Sequence, residues 1–79
     1  MGTNEFIMGA INNINHPKEA VNNLNDAWHI LNNTPGPKAK EFADRTKALS
    51  EMMKQGKFNR EKILTDLLRL ANEIKNAGM

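Results

Sequence analysis

"REKILTDLLRLANEI", residues 60–74, is the most apolar stretch of this chain and decides how the rest is read. Wound as a helix at about 100° per residue, it spreads Ile63, Leu64, Leu67, Leu68, Leu70, Ala71 and Ile74 over roughly half its circumference. A helix lying on the surface of a domain needs a narrower stripe, so this one calls for neighbours on more than one flank. Ile63, Leu67, Leu70, Ile74 and Ala77 recur at spacings of 4, 3, 4 and 3. Leu64 and Ala71 widen that face, and Leu68 widens it further. Asn59 can cap the helix and Glu61 falls in its first turn. Phe58, just before the cap, can fold back on Ile63. The pattern predicts a helix over residues 59–76.

The preceding segments supply the neighbours. "KQG" leads into this helix, and Gly56 suits the left-handed position just past a helix end because it carries no Cβ. Before it, Ala39, Phe42, Thr46, Leu49 and Met53 follow one another at spacings of 3, 4, 3 and 4, which predicts a helix over 37–55. Its stripe is narrow and contains a Thr, so it reads as the most exposed of the long helices. "NNTPGPK" is a turn by composition, with Pro37 opening the helix and Gly36 or Thr34 near its cap. A third helix is predicted over 17–33, where Pro17, Val21, Leu24, Trp28 and Leu31 form the stripe, flanked by Ala20 and Ala27. Pro17 suits the first helical position, since its missing N–H would be unpaired there anyway. His16 then stands at the cap. A short helix over 4–14, capped by Thr3 or Asn4, carries Phe6, Ile7, Ala10, Ile11 and Ile14 on one face, with Gly9 weakening it.

Strand signals are missing: Val occurs once, Tyr never, and no segment alternates cleanly. Loops of roughly two to six residues between helices imply antiparallel neighbours. The expected fold is all-α, one domain over residues 1–79, a small antiparallel bundle of three long helices plus a short N-terminal helix. In the simplest arrangement the last helix is central. Residues 17–33 cover one of its flanks, residues 37–55 the other, and the short helix closes one end. Leu68 is left over.

Composition limits the chemistry. The chain has 79 residues and no Cys, which excludes disulfides and thiolate metal sites. A domain of this size is marginal alone and leans on well-packed helices or on a partner. No apolar run approaches the ~20 residues of a membrane span, and no signal peptide is recognisable, so the chain reads as soluble and cytoplasmic. Charge is uneven: residues 1–33 carry one Lys against three acids, and residues 34–79 carry ten Lys or Arg against six. Asn occurs twelve times, often in pairs, between the periodic apolar residues. An AT-rich coding sequence, as in many phages or mobile elements, would produce that bias.

Catalysis finds little support. Ser50 is the only Ser, and His16 and His29 are the only His, so no nucleophile, base and orienting group are suggested. Thirteen residues separate the two His and no thiol accompanies them, a weak basis for a metal site. The five Gly are isolated, so no phosphate-binding loop is present. No enzyme and no cofactor are expected.

Two binding classes remain, protein binding and, as the alternative, nucleic-acid binding. In "KQGKFNREK", Lys54, Lys57, Arg60 and Lys62 gather around Phe58, a combination that can neutralise phosphates and stack a base. Read as a helix-turn-helix, residues 48–67 place Glu51, Gln55, Lys57, Lys62 and Thr65 where apolar residues are needed, so that motif fails. The favoured class is a small protein–protein interaction module: an adaptor, inhibitor or assembly factor. Trp28, Ile30, Met52 and Leu68 are its candidate contact residues, since Trp is enriched at hot spots and Met adapts to irregular surfaces. Trp28 also fits the core stripe, whereas Ile30 and Leu68 lie off theirs. Leu68 and Ile30, with Met52, are the expected surface for a protein partner or a homodimer.

Overall fold

The structure, a computed structural model, describes residues 2–79 and is all-helical among them. α1 spans Thr3–Asn12, α2 Pro17–Asn32, α3 Pro37–Lys54 and α4 Arg60–Asn76. The start and stop chemistry follows the sequence closely. Pro17 and Pro37 both occupy first-turn positions, with His16 and Gly36 at the caps. The Asn59 side chain accepts the Lys62 backbone N–H at 3.2 Å. Gly56 has φ +73°, the left-handed turn that ends α3. Thr34 is used differently from the expectation: its hydroxyl donates to the Ile30 carbonyl at 2.7 Å and so finishes α2.

α1 departs further. Its cap is Gly2, not Thr3 or Asn4, and Thr3 is buried in the first turn. The helix ends at Asn12, because residues 13–15 form a turn in which the Ile14 N–H reaches the Ile11 carbonyl. Ile14 nevertheless packs on the core from that turn.

The arrangement of the four helices corrects the expected one. Close backbone approaches join α1 to α2, α2 to α3, α3 to α4 and α4 to α1; none joins α2 to α4 or α1 to α3. The helices therefore form a ring of four walls, with α4 diagonal to α2. α1 is a wall between them rather than an end closure. Ile7 and Ala10 lie on its fully buried side, and Phe6 and Ile11 pack on the core from its flanks. Ten residues of helix rise about 15 Å, enough to line more than half of α4.

Side-chain size explains which walls stand close. Lys47 reaches over the Trp28 ring, so that side of α3 faces α2. Ala43 and Ser50, four residues before and three after Lys47, share that side, and both are buried. Small residues let the α2 and α3 backbones come together, and this is the most extensively packed helix pair. Arg45 bonds Glu73, so the opposite side of α3 faces α4. Phe42 and Leu49 flank Arg45 there and hold α4 further off. α3 does present the most exposed positions of the long helices, as its narrow stripe suggests, and this packing gives it the most buried ones as well. It buries Ala39, Phe42, Ala43, Thr46, Leu49, Ser50 and Met53, more positions than any other. Thr46 fits the core because its hydroxyl donates to the Phe42 carbonyl at 2.8 Å.

The α1–α2 seam is close for a different reason. A Cβ added at Gly9 would stand 3.0 Å from the Asn23 side-chain nitrogen. Asn23 in turn accepts from the Asn13 amide at 2.9 Å. Gly9, which weakens α1 as a helix, is what lets α2 approach it.

Candidate protein-binding face

The wide face of α4 is divided by its neighbours. Ile63, Leu67, Leu70 and Ile74 are fully buried at the centre of the ring, and Ala71 is nearly so. Leu68 follows Leu67 by one residue, about 100° around the helix, and stays 49% exposed. α1 repeats the pattern: Ile7 is buried, and Met8, one residue on, is 42% exposed. Met8 and Leu68 both stand at the α1–α4 seam. They line one surface groove together with Asn4, Ala71, Asn72 and Lys75. The Asn4 Oδ1 is buried and has no hydrogen-bond partner among the described residues. The groove thus mixes three apolar side chains with two amides and one lysine.

The other candidates lie elsewhere. Met52, 37% exposed, borders the α3–α4 seam beside Arg45, Ala48, Leu49, Asp66 and Arg69. Trp28 is half-buried and packs on the core. Lys47 Nζ lies 5.0 Å from its ring centre on one side, and the His29 ring stands edge-on at 5.0 Å. Ile30 is half-buried. It lies two helical turns beyond Asn23, hence on the α1 side of α2. The width of α1 separates it from Leu68. Trp28, Ile30, Met52 and Leu68 therefore stand on four different parts of the surface. Met8, which the sequence pattern passes over, is the residue that extends the Leu68 patch. Its signal was its place one step off the α1 stripe, but that becomes informative only once α1 is known to lie beside α4.

Lys54, Lys57, Arg60 and Lys62 are exposed around the α3–α4 turn. Lys54 pairs with Glu51 at 3.5 Å, and Arg60 donates to the Asn15 side chain at 2.9 Å. Phe58 is half-buried and packs on the core, the staple position its sequence suggests, so its ring is not an open stacking platform.

One ion pair crosses the α3–α4 seam: Arg45 Nη2 lies 2.8 Å from Glu73 Oε2. That hydrogen bond holds the Glu73 carboxyl below its ordinary range and raises the Arg45 guanidinium. Both side chains remain substantially solvated, so the pair fixes orientation more than it adds stability. Among the described residues no cluster of three or more His, Asp or Glu could hold a metal ion, and no helix is long and apolar enough to cross a membrane.

Fold and surface together define a small all-helical bundle with a shallow groove along its α1–α4 seam that two exposed large apolar side chains border. Comparison of the chain with protein-family models, with curated proteins and with solved structures returns no match.

Proposed function

We propose that this chain is a non-enzymatic protein–protein interaction module, an adaptor, inhibitor or assembly factor, that binds through the α1–α4 face. One observation carries the reading. Two large apolar side chains, Met8 and Leu68, are each about half exposed and border the same groove on adjacent helices. Single exposed apolar residues are ordinary on a soluble surface, but neighbouring ones rimmed by polar groups are a feature of contact sites. The exposed amide of Asn72 adds hydrogen-bonding capacity without the desolvation cost of charge. Met supplies a side chain that adapts to a partner's shape.

Site-specific photo-crosslinking in the native cell tests this. A photoreactive residue replaces Leu68 in one variant and Asn25, exposed on the far side of α2, in another. The reading predicts a discrete protein adduct from position 68 and none from position 25. No adduct at position 68, or equal adducts at both positions, would exclude a specific contact at this face.

A further inference from the structure

The exposed side of α4 carries a pattern that matches itself when reversed. Glu61, Leu68 and Lys75 are spaced seven residues apart, two helical turns, so they fall on one line along the helix. All three are exposed. Leu68 is the midpoint, with an acid about 10.5 Å to one side and a base about 10.5 Å to the other. Thr65 and Asn72, uncharged and exposed, flank this line on one side, and the less exposed Leu64 and Ala71 flank it on the other. Among the described residues the ion pairs are Arg45–Glu73 and Lys54–Glu51, so neither Glu61 nor Lys75 has an opposite charge within bonding distance on its own chain. α1 carries a related arrangement. Asn4 and Asn12 lie four residues on either side of Met8, and Met8 borders the same groove as Leu68.

From this pattern, and resting on the α1–α4 face being a contact surface, we infer that its occupant is a second copy of this chain. The two copies pack face to face about a two-fold axis that crosses both helices at the level of Met8 and Leu68. α4 then lies antiparallel on the partner's α4, and α1 on the partner's α1. A two-fold interface must be self-complementary, each residue i meeting j as j meets i. Here Leu68 meets its own counterpart at the axis. Glu61 of each copy reaches the level of Lys75 of the other, giving two opposite-charge contacts. Asn4 of each reaches the level of Asn12 of the other, where the exposed Asn12 amide oxygen can accept from the Asn4 amide nitrogen. A parallel pairing of α4 on α4 would instead set Glu61 against Glu61 and Lys75 against Lys75. Charge thus selects the antiparallel register, while the apolar centre supplies the association.

Sedimentation equilibrium of the whole chain, from micromolar to hundreds of micromolar, tests the inference, with circular dichroism confirming that each variant is helical. The wild type should associate to twice the 8.9 kDa of one chain. Leu68→Lys should remain monomeric. Glu61→Lys alone should weaken association about tenfold, because two attractions become two repulsions. Glu61→Lys combined with Lys75→Glu should regain most of the loss. Should Leu68→Lys misfold, the charge series still decides the matter. A wild type that stays monomeric over the whole range overturns the inference, as does a dimer indifferent to these substitutions or a double variant no better than the single one. A monomer whose position 68 still crosslinks to a different protein removes the second copy and leaves the interaction module standing. A monomer with no adduct at position 68 removes both.

Discussion

Leu67 and Leu68 are chemically identical neighbours with opposite roles. Leu67 is fully buried and Leu68 is half exposed, and the backbone turn between them decides it. Leu67→Ala should cost about 2–5 kcal/mol, the lost burial plus the cavity left behind. Leu68→Lys, measured at a dilution where the chain is monomeric, should change stability by less than about 0.5 kcal/mol. Urea unfolding followed by circular dichroism reads both. Comparable losses at the two positions would mean that the core of α4 has been assigned to the wrong side. At this scale much was legible: the buried set Ile63, Leu67, Leu70 and Ile74 is the 4-3-4 stripe of the sequence. Thr46 was read as a flaw in its stripe, because a pattern of residue types does not record that a hydroxyl can bond its own helix.

Between elements, Gly9 links local propensity to packing. Gly is about 1 kcal/mol worse than Ala inside a helix, yet a methyl there presses on Asn23. A double-mutant cycle separates the two effects. In the wild type, Gly9→Ala should give little net gain or a small loss, because the Asn23 amide must give way. In an Asn23→Ala background the same change should stabilise by about 1 kcal/mol. Thermal unfolding of the four proteins measures the coupling; equal effects in both backgrounds would mean that α1 and α2 do not touch at Gly9. Helix ends were readable because caps and turns are local chemistry: Pro17, Pro37, Gly56 and Asn59 sit where their side chains or φ preferences send them. Pairing was not. Periodicity reveals which face of a helix is apolar, but the choice of neighbour depends on side-chain size. Ala43 and Ser50, which bring α3 to α2, carry almost no periodic apolar signal.

For the whole molecule, the ring order is the consequence that matters. Had α2 and α3 flanked α4, as its broad face first suggests, Leu68 would have been an isolated leftover. With α1 as the fourth wall, Leu68 and Met8 border one groove. The candidate site was therefore half legible. Leu68 stood out by its offset from the stripe, while Met8 depended on a contact between chain segments sixty residues apart. Trp28 looked attractive by residue type, but its body is committed to the core and Lys47 lies over its ring.

The contact of α1 with α4 is thus the claim on which the binding face stands, and methyl-resolved nuclear Overhauser spectroscopy tests it most directly. The structure predicts cross-peaks from the Met8 methyl to the methyls of Leu68 or Ala71, persisting at dilutions where only monomer is present. It also predicts no backbone cross-peaks between α2 and α4. A Met8 methyl without any α4 partner, accompanied by backbone contacts between α2 and α4, would contradict the ring and with it the face.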